Sequence, residues 1–279
     1  MAELFKGAPV AAALIEDLRA RAEALVARGV VPTLAILRAG ERGDDLTYER
    51  AALRRCEACG VAARVIALPA DVTRERLLDE LAALNADARV HGVLPMRPLP
   101  FDGEVCAALA PEKDVDGVTP ASMAALYAGT GAAFAPCTAE ACVALLKHYG
   151  VPLAGRRAVV IGRSLVIGRP LALLLLAENA TVTLAHSRTE DLPALCREAD
   201  VLAVAAGRAG LVGAEHLRPG QTVVDVGVNV LPDGTLAGDV RADEAARAAA
   251  VTPVPGGVGA VTTAVLCAHV IRAAERQTK

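Results

Sequence analysis

Residues 159–170 constrain this chain most. The apolar run Val159-Val160-Ile161 breaks at Gly162-Arg163-Ser164 and passes through Gly168-Arg169-Pro170 into the apolar segment Leu171-Ala172-Leu173-Leu174-Leu175-Leu176. A short buried strand, a glycine-bounded turn and an apolar helix make up the first half of a βαβ unit. In such a unit the glycines let the backbone approach a pyrophosphate, and the N–H groups of the first helical turn supply positive potential. The spacing differs from G-x-G-x-x-G, because Ser164 takes the middle glycine position and Gly168 comes six residues after Gly162. Taken alone, the stretch also fits an ordinary strand–turn–helix unit.

Thr181-Val182-Thr183-Leu184-Ala185 reads as the next strand. It ends at His186-Ser187-Arg188-Thr189, roughly 20 residues past the turn, where dinucleotide-binding folds read the adenosine ribose. A carboxylate there would grip a ribose 2′-hydroxyl and repel a 2′-phosphate. Ser187, Arg188 and the turn's Arg163 instead offer hydroxyl and guanidinium donors suited to a phosphate. NADP is therefore expected ahead of NAD.

Helix and strand patterns alternate along the whole chain. Helical periodicity over 10–27 precedes an apolar strand at 33–37, then a helix over 45–59, a strand at 64–68, a helix over 73–84 and a strand at 90–94. A second set begins with Thr138 as N-cap of a helix over 139–148. Strands follow near 157–161, 181–185, 201–205, 222–226 and 251–254, with a final helix over about 262–275. Such alternation predicts an α/β fold with parallel sheets. The expected arrangement is an N-terminal α/β substrate domain, 1–137 completed by 263–279, and a Rossmann-like dinucleotide-binding domain, 138–262, with a cleft between them.

Composition excludes several other classes. A net charge of −3 with 2% aromatic residues leaves neither a basic footprint nor stacking side chains for nucleic acid. Mean hydropathy is +0.40, yet the uncharged stretch 117–139 is broken by Pro120, Gly129, Gly131 and Pro136, so no membrane span is expected. The first seven residues carry no basic segment leading into an apolar signal core, and the expected location is the cytoplasm. The seven cysteines then read as reduced thiols, with Cys56-Glu57-Ala58-Cys59 as two thiols late in a helix. The five histidines are isolated from one another, and no metal site or Ser-His-Asp triad is expected.

Further ordered motifs cover essentially the whole chain. They are Tyr48 through Cys56 with Gly60, Pro98-Leu99-Pro100, Pro111-Glu112-Lys113-Asp114-Val115-Asp116-Gly117 and Pro136-Cys137-Thr138. To these are added the turn at 162–170, Asp225-Val226-Gly227-Val228-Asn229, Gly238-Asp239-Val240 and Pro253-Val254-Pro255-Gly256-Gly257-Val258-Gly259. With them the chain resembles the methylenetetrahydrofolate dehydrogenase/cyclohydrolase family. The resemblance implies hydride transfer from 5,10-methylenetetrahydrofolate to NADP, then hydrolysis of the methenyl product to 10-formyltetrahydrofolate.

It also implies residue roles. Asp116 would accept the pterin's amino and ring N–H groups, Tyr48 would line the folate pocket beside the one-carbon unit, and Pro255-Gly256-Gly257 would wall the ligands. Asp116 and Tyr48 are the catalytic candidates, and Met96 lies among the substrate contacts. Gly162, Arg163, Ser164, Gly168, Pro170, Ser187, Arg188 and Val228 are the cofactor candidates. Without the resemblance, Asp116 reads as a local cap or a partner of Lys113, and Tyr48 as an amphipathic-helix aromatic. A homodimer is expected from the family analogy and the apolar helix face around 174–177.

The sequence departs from the family pattern at the proton-transfer position. The family places a lysine four residues after the helix tyrosine, and Ala52 stands there; a glutamine partner is replaced by Met96, with Arg97 beside it. Smaller departures are Asp45, where serine is common, and Ala260-Val261, where the family usually has Pro-Met. A desolvated amine can take and return a proton at neutral pH, and alanine cannot. Cyclohydrolase activity is therefore expected to be weak or lost. A folate- or nucleotide-binding paralogue without activity, or one with a changed substrate, is the alternative.

Overall fold

The structure, a computed structural model, describes residues 2–278. In chain order its elements begin with β1 (Glu3–Leu4), α1 (Gly7–Ala27), β2 (Thr33–Ala39), α2 (Gly43–Cys59) and β3 (Ala62–Leu68). Next come α3 (Arg74–Ala86), β4 (Gly92–Pro95), α4 (Asp102–Ala108), α5 (Pro120–Ala128) and α6 (Cys137–His148). Then follow β5 (Arg157–Ile161), α7 (Gly168–Ala177), β6 (Thr181–Ala185), α8 (Leu192–Glu198), β7 (Val201–Val204) and β8 (Thr222–Asp225). β9 (Asn229–Val230), β10 (Leu236–Ala237), β11 (Ala250–Val251) and α9 (Gly259–Gln277) complete the chain. Two compact units result: residues 1–11 with 138–262, and residues 12–137 with 263–279.

The unit of residues 12–137 and 263–279 holds a three-stranded parallel sheet in the order β3-β2-β4. β2 leads through α2 to β3 on one side, and β3 returns through α3 to β4 on the other. Strand order therefore reverses at the carboxyl end of β2, the usual place for a ligand in an open α/β sheet. Ala35 and Leu37 of β2 pack with Leu77, Leu81 and Leu84 of α3 in one apolar core. Each fully buried leucine contributes about 1.5–3 kcal/mol to that packing.

The unit of residues 1–11 and 138–262 holds a six-stranded sheet, β1-β11-β8-β7-β5-β6, with every neighbouring pair parallel. β9 and β10 form a separate antiparallel pair. Order reverses here at β5, whose neighbours are β6 and β7. The core strands read as continuous apolar runs because both faces are covered: Val159, Ile161, Leu202, Val204 and Val223 belong to one buried cluster.

Two expectations are corrected. Residues 2–11 belong with the unit of the six-stranded sheet and not to the N-terminal substrate unit, because Glu3 and Leu4 pair with Ala250 and Val251 and Phe5 stacks on Tyr149 at 4.1 Å. That pairing spans nearly the whole chain and leaves no local pattern. Thr138 is not an N-cap, since α6 already includes Cys137. Among the described residues no helix is long and apolar enough to cross a membrane.

Candidate active site

In the unit of residues 12–137 and 263–279, α2 sets the first group of candidates. Its buried positions Asp45, Glu49, Ala52, Cys56 and Cys59 recur at helical spacing. Two of these are acids with partners: Asp45 accepts from Arg42 at 2.8 and 2.9 Å, and Glu49 from Arg38 at 2.8 Å. Ala52 is wholly buried, one turn after Tyr48. Burial, followed by the nearby Asp116 carboxyl, pushes the Tyr48 hydroxyl well above its ordinary pKa. Met96 follows β4 and donates its N–H to Leu37 O at 2.8 Å, which holds it beside the carboxyl end of β2.

Asp116 arrives on the segment that starts from a parallel bridge between Val93 and Asp114. Its Oδ1 accepts the Cys137 N–H at 3.2 Å. Burial raises the Asp116 pKa, opposed by hydrogen bonds from Cys137. Local pairing with Lys113 does not occur in that form, because Lys113 Nζ donates to Leu84 O at 2.9 Å and Asp87 O at 2.8 Å. Lys113 is the only lysine between residues 12 and 137. Arginines on α2 and just after β4 are engaged as well: Arg97 forks onto Asp102, Arg55 reaches Thr263, and Arg50 reaches Thr47.

The Cys56–Cys59 pair lies on the buried side of α2, and Cys267 of α9 donates to Cys56 Sγ at 3.9 Å. All three are free thiols. No group of three His, Cys, Asp or Glu among the described residues is arranged to hold a metal.

In the other unit a cavity of about 440 Å³ opens at the strand-order reversal. Gly162, Arg163, His186, Ser187, Ala206 and Arg208 are among its walls, and no carboxylate lines it among the described residues. Gly162 sits at φ 117°, and a Cβ there would collide with the Ala205 carbonyl of the neighbouring strand end. A Cβ on Gly168 would collide with the Gly162 carbonyl, so glycine allows the turn to fold back onto the start of α7.

Of the cofactor candidates, Gly162, Arg163 and Ser187 line this cavity, whereas Ser164, Gly168, Pro170, Arg188 and Val228 are not among its walls. Ser164 Oγ accepts the N–H groups of Ile167 and Gly168, which caps α7 and shapes the turn. Arg188 N–H donates to His186 Nδ1 at 3.2 Å. Val228 is 62% exposed. Pro255-Gly256-Gly257 also belongs to this unit, and Gly256 O accepts the Gly7 N–H at 2.8 Å.

Sequence reasoning placed His186 and Thr189 in the ribose-reading segment without assigning them a role, and it missed Leu192, Ala206, Arg208 and Leu211 as cavity walls. Their common signal is position: each follows the end of β6 or β7, where an open parallel sheet binds ligands. It also missed Asp225, whose pKa burial pushes up to about 6 against three backbone N–H donors.

Fold and cavity together define an α/β protein of the dinucleotide-binding class, with a second parallel-sheet unit carrying buried titratable groups. Residues 136–278 match the family described as tetrahydrofolate dehydrogenase/cyclohydrolase, NAD(P)-binding domain, and residues 5–116 match its catalytic domain. The chain belongs to the tetrahydrofolate dehydrogenase/cyclohydrolase family. It is 46% identical to the bifunctional protein FolD of Carboxydothermus hydrogenoformans, over 99% of this chain and 98% of that protein. The solved bifunctional FolD of Campylobacter jejuni superposes with a TM-score of 0.96 at 36% identity, covering 99% of each chain. The Trypanosoma brucei methylenetetrahydrofolate dehydrogenase-cyclohydrolase, solved with NADP and an inhibitor, superposes at 0.93 with 36% identity, covering 100% of this chain and 99% of that one.

Proposed function

We propose that this protein oxidises 5,10-methylenetetrahydrofolate to 5,10-methenyltetrahydrofolate with NADP, and that its cyclohydrolase step to 10-formyltetrahydrofolate is weak or lost. The reading of the first step rests on family membership and on the cavity at Gly162, whose donor set suits a phosphorylated dinucleotide. Arg163 and Arg208 bring two guanidinium groups and Ser187 a hydroxyl, with no carboxylate opposing them. When bound, NADP supplies the hydride acceptor. The chain's residues bind and orient: Arg163 and Ser187 hold phosphate, and Gly162 lets the ligand approach the backbone. Asp116, drawn out of water, accepts pterin N–H donors, and its hydrogen bonds strengthen in that low-dielectric setting. Tyr48 and Met96 line the folate side in their unit, and Pro255-Gly256-Gly257 offers a glycine-lined ligand wall in the nucleotide-binding unit.

One observation carries the second half: the family's lysine position is Ala52, fully buried, and residues 12–137 contain no lysine other than Lys113. Lys113 Nζ is spent on two backbone carbonyls. A guanidinium remains protonated at neutral pH and cannot act as the base for water addition. Losing a general acid–base group of this kind costs about 10²–10⁴ in rate. Hydride transfer depends mainly on apposition, so it survives the change.

The test is to mix the protein with methylenetetrahydrofolate and NADP and follow the methenyl and NADPH absorbance bands. Methenyl product accumulating in step with NADPH is the expected result. Its hydrolysis as fast as by a lysine-bearing relative would refute the loss of the second step. Folate binding without NADPH formation would identify a silent paralogue. We also read the protein as a cytoplasmic homodimer: β6 is an edge strand, and Leu184 on it and Leu176 on α7 are exposed.

A further inference from the structure

Two buried carboxylates in the nucleotide-binding unit have no part in the chemistry above. Asp239 is fully buried, and it accepts four hydrogen bonds. Three come from the successive backbone N–H groups of Ala206, Gly207 and Arg208, at 2.6, 2.9 and 2.8 Å, and one from Asn229 Nδ2 at 2.9 Å. Asp225 grips Asp239 in turn: its Oδ1 accepts the N–H groups of Gly227 and Asp239, and its Oδ2 that of Val240, all within 3.0–3.1 Å. There is no slack in this nest. A Cβ on Gly227 would collide with the Asp239 carboxylate, and one on Gly238 with that of Asp225.

The segment so clamped follows β7 and forms one wall of the cavity at Gly162, with Arg163 and Ser187 among the other walls. Three consecutive amides bound to one buried carboxylate give the backbone a single shape. What that shape presents is Arg208, an exposed guanidinium with no ion pair among the described residues. Arg163, on the facing turn, has none either. Two like charges lining one cavity without a counter-charge repel each other until an anion enters, which is how an anion receptor is built. Ser187, at the end of β6, places that anion where this fold reads the adenosine ribose.

We propose that Arg208 is a specificity residue that reads the 2′-phosphate of the dinucleotide, and that Asp239, held by Asp225, is the positioning residue that fixes the Ala206–Gly207–Arg208 wall for it. The inference rests on the cofactor reading above and deepens it. Asp239 makes no contact with the ligand in this scheme and acts only through the wall.

The experiment is a fluorescence titration of the full chain with NADPH and, separately, with NADH. Wild-type protein is expected to prefer NADPH; no preference would overturn the cofactor reading and this inference with it. Arg208→Ala is expected to weaken NADPH binding roughly tenfold or more, the usual worth of a hydrogen bond to a charged group, while leaving NADH binding unchanged. Arg208→Lys should recover part of the loss. Asp239→Ala should reproduce the NADPH defect, and the double variant should bind no more weakly than the weaker single variant. Unchanged NADPH affinity in Arg208→Ala, or an equal loss of NADPH and NADH, would overturn the role of Arg208. Additive losses in the double variant would overturn that of Asp239. Should Asp239→Ala fail to fold, the two Arg208 variants decide alone, because that side chain is exposed and unpaired.

Discussion

The two units place their candidate residues by the same rule and equip them with opposite chemistry. In each, a parallel sheet reverses its strand order, at β2 in one and β5 in the other, and the candidates gather at the carboxyl ends of those strands. At β5 the equipment is exposed and cationic: Arg163, Arg208 and a serine hydroxyl around a carboxylate-free cavity. At β2 it is half-buried and acidic, with Asp116 and Tyr48 both raised in pKa by desolvation and the nearby arginines paired elsewhere. The contrast shows that topology chooses where a ligand lies, whereas burial decides which charges the site can use. A phosphate is held by donors that solvent can reach, and a neutral heterocycle by an acceptor taken out of water.

The largest effect expected from breaking this contrast is at Asp116. Asp116→Ala removes an acceptor for more than one N–H donor, and kcat/KM for methylenetetrahydrofolate should fall about 10²–10⁴-fold. NADPH affinity measured by titration should stay near that of the wild type. A parallel loss of both would show that the two groups of residues are not chemically separate.

The next effect concerns Asp225, an acid that burial has moved into the range of ordinary buffers. Its folded pKa of about 6 lies above the ordinary carboxyl value of 3.8, so its contribution to stability is complete below about 4 and is lost as pH rises through 6. At about 1.4 kcal/mol per pH unit, wild-type stability relative to Asp225→Asn should fall by about 3 kcal/mol between pH 4 and pH 7. Urea unfolding of both proteins at several pH values reads this difference. A constant gap would mean that the carboxyl is ionised throughout.

A smaller change follows from Gly168→Ala, which drives a methyl group against the Gly162 carbonyl. Overpacking of this kind costs roughly 1–3 kcal/mol. It should appear as a lower Tm together with weaker NADPH binding, because the same turn walls the cavity. The smallest effect is expected at Tyr48. No hydrogen bond of its hydroxyl is found among the described residues, so Tyr48→Phe should leave stability within about 0.5 kcal/mol. Folate turnover should fall less than tenfold, and a larger loss would assign the hydroxyl a direct part in the reaction.

Much of this was legible in the chain. The strands at 157–161 and 181–185 match the observed β5 and β6, because apolar runs bounded by turn residues are local signals. Helices α4 and α8 went unread: each has seven residues, too short for apolar periodicity to stand out. At the site, Arg163 and Ser187 were found from their distance to the glycine turn. Arg208 was not, since no spacing rule connects it to that turn.

The order of elements, the glycine turn at β5, the absence of a carboxylate at the end of β6 and the alanine at position 52 could all be read from neighbouring residues. Each is a matter of local periodicity or residue type. Tertiary structure alone placed β1 beside β11, brought Asp239 under the amides of 206–208, and set Lys113 on the carbonyls of Leu84 and Asp87. Those contacts join residues far apart in the chain, and their free energy comes from burial and hydrogen-bond satisfaction that exist only once the sheets have closed.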